Sequence, residues 1–266
     1  MVEVSIIVTC YNKGKHLLET LSSIRSQNYT SFETIIIDDC STDPKTIDIL
    51  KNQTQKGETI VYLKKNIGVC EARNIGISRA QGDYILFVDG DDKISENYLQ
   101  DTVPILKKQP SITVVTSEVE LFGYKNGKMI LLEPTIANML AQNCLTVSSI
   151  FRKSFLDQSI KFNTNMNVGL EDWDFWLSIL EKGGKIYKVP RVLFYYRISN
   201  KSRNVLSTEK LKKLRKQVYL NHPELFSKYM LDPTLSFEYF MIKDSAEYKV
   251  GQLILNPLRK IINFFQ

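Results

Sequence analysis

The sequence predicts an α/β protein in which a largely parallel sheet is flanked by helices. Short β-branched runs alternate with longer amphipathic stretches through the first third of the chain, a pattern typical of βαβ units. Four of these runs end in polar or acidic residues, as strands of a parallel sheet do where they border a ligand site. The 266 residues, 43% of them hydrophobic, suffice for one globular domain with an appendage.

The predicted elements follow one another in chain order with short connections. The first part contains strands at 4–9, 32–37, 60–63 and 84–88 and helices at 15–27, 46–51 and 69–80. The second part contains a helix ending near 107, a strand at 113–119, a hairpin turn at Asn126-Gly127, a helix from 136, a strand at 146–151, a helix from 171 and closing strands at 186–189 and 192–196. After Asn204 the pattern predicts only helices.

Composition excludes several classes of protein. No apolar run approaches the roughly 20 residues needed to cross a bilayer, and Met1-Val2-Glu3 lacks the basic-then-apolar order of a signal peptide. We therefore expect a cytoplasmic protein. Its four cysteines are too widely spaced for a zinc site or a disulfide framework, which predicts reduced thiols.

The positive charge is concentrated in the tail. Residues 1–196 carry 22 Lys and Arg against 23 Asp and Glu, whereas residues 197–266 carry 13 against 6. Such asymmetry favours contact with an anionic surface, either nucleic acid or lipid headgroups, over a merely solvated helix. Because no nucleic-acid recognition motif is present, we expect no nucleic-acid partner.

Polar residues follow each predicted strand of the first part, at the edge where a parallel sheet binds ligands. A ring such as Tyr11 can stack on a nucleobase, and a carboxylate such as Asp39 can accept the imide N–H of uracil or thymine. The helix that follows Gly68 offers its N-terminus, and Arg73 offers a guanidinium; both suit phosphate.

Asp89-Gly90-Asp91-Asp92 forms the sharpest acidic cluster, directly after a buried strand. Two carboxylates separated by one residue can hold a hard divalent cation that keeps positions free for water and diphosphate oxygens. An acidic turn, in which Asp side chains cap backbone N–H groups, is the other interpretation of the same residues.

Five blocks, taken together and in this order, resemble the family 2 glycosyltransferases of GT-A fold. The blocks are Ser5-Ile6-Ile7-Val8-Thr9-Cys10-Tyr11-Asn12, Asp38-Asp39-Cys40-Ser41-Thr42-Asp43, Gly68-Val69-Cys70-Glu71-Ala72-Arg73-Asn74-Ile75-Gly76, Gly82-Asp83-Tyr84-Ile85-Leu86-Phe87-Val88-Asp89-Gly90-Asp91-Asp92 and Glu171-Asp172-Trp173-Asp174-Phe175. The resemblance implies a Rossmann-like mixed sheet flanked by helices. It also implies an inverting, metal-dependent transfer of a sugar from a UDP- or dTDP-sugar to a hydroxyl of a glycan acceptor in capsule, O-antigen or cell-wall synthesis.

The resemblance also assigns roles to individual residues. Thr9, Tyr11, Asn12, Asp39 and Gly68 would bind the nucleotide, together with Arg73, Asp89 and Gly90 at the diphosphate. Asp89 and Asp91 would hold Mn²⁺ or Mg²⁺, and Asp172 would be the general base.

The block at Glu171 has a second interpretation, because acidic residues in the first turn of a helix complement its dipole. Within the five-block pattern we favour the catalytic interpretation of Asp172. Glu171 and Trp173 are then expected at the acceptor, although Trp173 could equally lie in the core.

Two features depart from the family pattern. Many relatives place a His after the segment that corresponds to Tyr195-Tyr196-Arg197, and this chain has none there, so either Arg197, Lys201 or Arg203 meets the diphosphate or metal dependence is looser. A non-catalytic nucleotide-sugar-binding or scaffold protein at the membrane is the alternative function. The Gln-x-x-Arg-Trp signature of processive synthases is also absent, which predicts addition of one or a few sugars per encounter.

The domain boundaries follow from these patterns. We predict a GT-A catalytic domain at 1–205, with a nucleotide-sugar half at about 1–115 and an acceptor half at about 116–205, and a helical extension at 206–266. In the extension Ile254, Leu258, Ile261, Ile262 and Phe265 share one helical face beside cations, which predicts a peripheral anchor at the inner face of the cell membrane. Packing against the catalytic domain or a second subunit is the alternative. Gly251 and Pro257 are expected to bend this segment.

Overall fold

A computed structural model describes residues 2–54, 57–199, 208–229 and 237–264. Its strands form one mixed sheet in the spatial order β3-β2-β1-β4-β8-β6-β9-β5, with β7 paired to β6. The strands are β1 (Val4–Cys10), β2 (Phe32–Asp38), β3 (Thr59–Tyr62), β4 (Tyr84–Asp89), β5 (Lys93–Ile94), β6 (Val114–Gly123), β7 (Gly127–Met129), β8 (Ile150–Arg152) and β9 (Ile186–Ile198). The predicted α/β class with a mixed sheet is confirmed.

The first four strands in space, β3-β2-β1-β4, are parallel. Every residue of β1 is buried, since the strand lies between two others and has helices on both faces. Thr9 is paired with Ile37 on one side and Asp89 on the other. This register brings the loops after β1, β2 and β4 to one edge of the sheet.

The second half of the sheet is built differently. β8 is antiparallel to both β4 and β6, and β9 runs parallel to β6 with an irregular register at Ser117 and Glu118. The two closing strands predicted at 186–189 and 192–196 are one strand, Ile186–Ile198. Consecutive residues of β6, Ser117 and Glu118, pair with Val189 and Val192, so β9 itself carries the extra residues and pairing continues past Pro190. The strand predicted at 146–151 shortens to Ile150–Arg152, and β6 is longer than predicted.

The helices cover both faces of the sheet. They are α1 (Lys15–Arg25), α2 (Pro44–Thr54), α3 (Val69–Arg79), α4 (Tyr98–Lys108), α5 (Ile136–Ala141), α6 (Glu171–Glu181), α7 (Thr208–Asn221), α8 (Pro223–Tyr229), α9 (Phe237–Asp244) and α10 (Ala246–Phe264). One core packs buried residues of α3, α5 and α6, such as Phe175, against Phe87 of β4 and Phe151 of β8, and the other core contains buried residues of α1 and α4. Helix α6, with the predicted base, is therefore fixed to the sheet by its buried face.

The C-terminal part is helical wherever the structure describes it. The predicted domain boundary at 205/206 lies outside the described residues, as do Lys201 and Arg203. Helix α10 is one helix that runs through both Gly251 and Pro257. Among the described residues, no helix is both long enough and apolar enough to cross a membrane.

Candidate active site

The site begins at the end of β4. The Oδ1 atom of Asp89 accepts hydrogen bonds from Thr9 Oγ1 at 2.8 Å and from Arg73 Nη2 at 3.0 Å. The other terminal nitrogen of Arg73, Nη1, donates at 3.0 Å to Glu171 Oε1 at the start of α6. Two acidic motifs that are distant in sequence therefore meet across one guanidinium.

Arg73 is enclosed rather than presented to a ligand. Only 1% of its surface is exposed, and both of its ion pairs are with protein carboxylates. Burial alone would raise the pKa of Asp89, but the charges of Arg73 and Lys13 outweigh it and hold that pKa below its usual value. Arg73 joins Asp89 to Glu171, and its expected contact with the diphosphate stays a prediction.

Asp172 lies beside this junction with both of its oxygens occupied. Oδ1 accepts from the backbone N–H of Trp173 at 2.8 Å, and Oδ2 accepts from Asn143 Nδ2 at 2.9 Å. Burial, together with the neighbouring charge of Glu171, raises the pKa of Asp172 to about 7 against the opposing effect of Arg73. A carboxylate with a pKa near neutrality is suited to accept a proton at physiological pH.

The strained backbone before α6 sets the direction of the Glu171 and Asp172 carboxylates. Leu170 has φ 60° and the preceding Gly169 has φ 141°. A bulky residue in the left-handed region costs on the order of 1–3 kcal/mol and persists only where the surroundings require it. Here the reversal places the first residue of α6 against Arg73.

Asp91 and Asp89, the two predicted metal ligands, are about equally accessible. The side chain of Asp91 is 29% exposed and that of Asp89 is 30% exposed. The Oδ2 atom of Asp91 accepts from Lys13 Nζ at 2.6 Å. Among the described residues no group of three or more His, Cys, Asp or Glu could hold a metal. Two carboxylates nevertheless fit Mg²⁺ or Mn²⁺, because such ions are commonly held by one or two carboxylates plus substrate phosphates.

Arg197 stabilises the turn after β4 instead of facing open space. Its Nε donates to the backbone oxygen of Asp91 at 2.6 Å, and its backbone N–H donates to Asp92 Oδ1 at 2.8 Å. A third bond joins Nη2 to Glu19 Oε2 at 2.7 Å. Two nitrogens of the guanidinium are bonded to protein groups, and the alternative in which Arg197 meets the diphosphate stays open.

The loop after β1 is tied to the loop after β2 by one side chain. Asn12 Oδ1 accepts from the backbone N–H groups of Thr42 and Asp43 at 2.8 and 2.9 Å. Asn12 also adopts φ 52°, a conformation that asparagine tolerates better than most residues. Its predicted contact with the nucleotide stays a prediction beside this structural role, and the neighbouring Tyr11 is 39% exposed at the rim.

The N-terminus of α3 is closed by protein groups. Asp39 accepts from the backbone N–H groups of Ile67 and Gly68 at 2.8 and 3.0 Å, and Asn167 Oδ1 accepts from Cys70 N at 3.1 Å. A Cβ on Gly68 would come within 2.8 Å of the Asn167 side chain. Protein acceptors thus occupy three backbone N–H groups here, and a phosphate contact at this helix N-terminus stays a prediction.

Two further predicted residues occupy distinct positions. A Cβ on Gly90 would lie 3.0 Å from the Thr9 backbone oxygen, so the glycine permits close approach of the turn after β4 to β1. Trp173 is 1% exposed and donates from Nε1 to the backbone oxygen of Met139 at 2.6 Å. This burial on the inner face of α6 favours the core, the second of the two positions expected for Trp173, over contact with the acceptor.

Three residues of the site escaped the sequence prediction. Lys13 could have been suspected from its position directly after Tyr11-Asn12, but Asn143 lies in a segment without any recognisable pattern. The side chain of Tyr196 lies near four acidic residues: burial, and then the charges of Asp92, Asp89, Asp91 and Asp172, raise the pKa of its phenol.

A Rossmann-like parallel half-sheet with converging carboxylates at its carboxyl edge defines a nucleotide-binding transferase class of site. The family model "Glycosyl transferase family 2" matches residues 5–167. The chain belongs to this family and is a glycosyltransferase, which confirms the resemblance drawn from the five blocks and favours an enzyme over a non-catalytic binder.

Two relatives extend the comparison. The chain is 32% identical over 223 residues to TuaG of Bacillus subtilis (strain 168), provisionally named a teichuronic acid biosynthesis glycosyltransferase; the match covers 80% of this chain and 84% of TuaG. It is 28% identical over 204 residues to the poly(ribitol-phosphate) beta-N-acetylglucosaminyltransferase TarS of Staphylococcus aureus, with 74% of this chain and 35% of TarS covered.

Solved structures share the fold. The structure of S. aureus TarS 1-349 in complex with UDP-GlcNAc superposes with a TM-score of 0.72 at 21% identity, over 92% of this chain and 74% of that one. The mannosyltransferase PcManGT from Pyrobaculum calidifontis, in complex with GDP-Man and Mn2+, superposes with a TM-score of 0.59 at 16% identity, over 97% and 88%. The predicted GT-A fold is thus confirmed.

Proposed function

We propose that this protein transfers a sugar from a UDP- or dTDP-sugar to a hydroxyl of a bacterial surface glycan, with inversion at the anomeric carbon. Asp172 takes the proton of the acceptor hydroxyl while that oxygen bonds to the anomeric carbon. The bond from the anomeric carbon to the diphosphate oxygen breaks, and its electron pair leaves with the diphosphate. The relatives named for teichuronic acid and poly(ribitol-phosphate) chemistry support the choice of a surface glycan.

The observation that carries this proposal is the junction at Arg73. It brings the first carboxylate of the Asp89–Asp91 pair and the first turn of α6 to one place, although the two motifs are far apart in the chain. Inversion needs a base on one face of the sugar and a stabilised leaving group on the other. The two acidic motifs can divide these tasks.

Asp91 and Asp89 would hold Mn²⁺ or Mg²⁺ together with the diphosphate of the donor. Such an ion supplies positive charge opposite the negative charge that develops on the leaving diphosphate. Lys13 already balances Asp91 in the structure and can contribute positive charge at the same place. Tyr11, at the exposed rim, is the residue that we propose stacks on the nucleobase.

Asp172→Asn is the central test of this function. We expect transfer from UDP- or dTDP-sugars to fall at least about 100-fold, because a positioned base contributes about 10²–10⁴. Donor binding should persist by calorimetry, since the base does not hold the nucleotide. Asp91→Asn should weaken donor binding in the presence of Mn²⁺, and Asp48→Asn, at an exposed position of α2, is the matched control. Near-normal transfer by Asp172→Asn would refute the base assignment.

We also propose that α10 binds the surface of the inner membrane leaflet. The side chains of Val250, Leu253 and Ile254 recur at the spacing of one helical face and are 53%, 77% and 61% exposed. Lys249 adjoins this face, and a helix with an exposed apolar face beside cations is suited to an anionic lipid interface. Of the apolar face predicted from sequence, the side chains beyond Pro257 lie outside the described residues.

Full-length protein and vesicles of mixed phosphatidylcholine and phosphatidylglycerol test this contact. The double substitution Leu253→Asp with Ile254→Asp should reduce co-sedimentation more than tenfold, because each buried apolar side chain contributes about 1.5–3 kcal/mol. Gln252→Asp introduces one such negative charge at the adjacent exposed position and should lower binding by less than half as much, on a logarithmic scale, as the double substitution does. Equal loss in both variants, or none in either, would contradict insertion of the apolar face.

A further inference from the structure

Asp172 receives one side-chain hydrogen bond that the proposed chemistry does not yet use. The donor is Asn143, in the segment between α5 and β8, and its Nδ2 lies 2.9 Å from Asp172 Oδ2. The other carboxylate oxygen of Asp172, Oδ1, accepts a hydrogen bond from the backbone N–H of Trp173, which belongs to the same helix, α6. Among the hydrogen bonds of the described residues, the one from Asn143 therefore orients the Asp172 carboxylate from outside α6.

The orientation of the Asn143 amide is fixed by a second bond. Its Oδ1 accepts from the backbone N–H of Leu145 at 3.2 Å, so the NH₂ group is the one that faces Asp172. An amide with its oxygen bound locally can only donate to the carboxylate. This arrangement suits the ionised form of Asp172, which is the form that accepts a proton.

Helix α5, which ends two residues before Asn143, is anchored on both the core and the C-terminal helices. Trp173 Nε1 donates to the backbone oxygen of Met139, and Arg215 Nη2, from α7, donates at 3.0 Å to that of Ala141. The Arg215 guanidinium also lies 5.1 Å from the centre of the Trp173 ring. A hydrogen-bond donor on so constrained a segment can hold a reactive group within a narrow range of positions.

We propose that Asn143 is a positioning residue for the catalytic step: its amide holds the Asp172 carboxylate in the orientation from which it takes the acceptor proton. The inference rests on the proposed function of Asp172. It assigns to the segment between α5 and β8, where the sequence shows no motif, a direct part in that function.

The charged and titratable groups that face Asp172 come from three elements. Glu171 adjoins it on α6, Arg73 and Cys70 face it from α3, and Tyr196 faces it from β9. Burial and Glu171 raise the pKa of Asp172, whereas Arg73, the Trp173 N–H and Asn143 lower it. Removing the Asn143 donor therefore moves this pKa further upward.

Asn143→Asp is the sharpest test, because it keeps the acceptor for Leu145 and replaces the donor with a second negative charge. We expect kcat at pH 7 to fall at least about tenfold, with the acid limb of the kcat–pH profile moved upward by about one unit. Asn143→Ala should change both quantities in the same direction but less. The KM for the donor sugar should stay within about twofold in both variants, since Asn143 does not hold the nucleotide.

Asn138→Ala, on α5, is the matched control. Among the described residues, the side-chain amide of Asn138 donates to the backbone oxygen of Glu133, which precedes α5. Thermal unfolding of each variant shows whether a loss of activity comes from misfolding or from a misplaced Asp172 carboxylate. Asn143→Ser, a smaller change, replaces any variant that fails to fold. An unchanged pH profile and kcat in folded Asn143 variants would overturn the proposal.

The double variant Asp172→Asn with Asn143→Ala separates the two levels of the hypothesis. If Asn143 acts through Asp172, the second substitution should cost almost nothing once the base is gone. If Asp172→Asn alone keeps normal transfer, the proposed function fails. If Asp172→Asn abolishes transfer and folded Asn143 variants behave like wild type, only the positioning role fails.

Discussion

Arg73 supports the site by holding two of its carboxylates together. It is a buried cation between two carboxylates, Asp89 and Glu171, with 3.0 Å between each pair of bonded atoms. Removing one member of a buried ion network leaves uncompensated charge in a poorly solvated place. The stability of this edge of the sheet therefore depends on Arg73.

We predict that Arg73→Met lowers the free energy of unfolding by about 3–5 kcal/mol, since two carboxylates lose their shared partner. Urea unfolding followed by circular dichroism measures this change. Arg79→Met, at an exposed position of the same helix, should stay within about 0.5 kcal/mol of wild type. Equal stability of the two variants would show that the carboxylates do not need Arg73.

At the scale of elements, α3 depends on close approach to β1. Gly76 is buried on α3, and a Cβ there would lie 2.4 Å from Ile7 Cγ2 in the middle of the sheet. The strand is held on both sides by paired neighbours and has little room to shift. The distance between helix and sheet, and with it the position of Arg73, is set by this glycine.

Gly76→Ala should therefore destabilise the protein by about 1–3 kcal/mol through overpacking, despite the higher helix propensity of alanine. Gly251→Ala makes the same exchange on α10, where nothing lies within 4 Å of the added Cβ. That variant should be neutral or more stable by up to about 1 kcal/mol. Thermal and urea unfolding of both proteins would reveal the difference, and a stabilised Gly76→Ala would contradict the packing argument.

At the scale of the whole molecule, His222 joins the C-terminal helices to α6. It lies between α7 and α8, is 2% exposed, and places Nε2 at 3.3 Å from Asp174 Oδ1 and Nδ1 at 3.2 Å from Glu181 Oε2. Burial alone would lower the pKa of His222, but its bonds and charge interactions with Asp174 and Glu181 raise it. His222 therefore has a structural position against the helix that carries Asp172.

A raised histidine pKa has a defined effect on stability. The charged pair contributes fully below the unfolded pKa of about 6.5, and the contribution is lost as the pH rises through the higher folded value. We predict that His222→Gln removes this pH dependence and costs about 1.5–3 kcal/mol near pH 6 but less near pH 9. Urea unfolding at both pH values measures it. His16→Gln, on α1 at a partly exposed position, should leave the slope unchanged; a pH-independent cost at His222 would refute the ion pair.

The sequence by itself determined the fold class and the edge at which the site lies. The strands β1, β2 and β4 follow from local runs such as Ile6-Ile7-Val8, because alternation and β-branching are short-range properties. The polar residues after those strands, including Asp39 and Asp89, were placed at one edge by the rule for parallel sheets alone. The family's five blocks then supplied the chemistry.

Only the tertiary structure decided which polar groups of the site bond to each other. Asn143 and Asp172 are 29 residues apart, and Arg73 and Glu171 are 98 apart, with no local pattern that links either pair. Trp173 could have been a ligand platform or core until the packing of α6 buried it. Long-range contacts depend on how whole elements are oriented and packed, and those are cooperative properties of the folded chain that no short window of sequence contains.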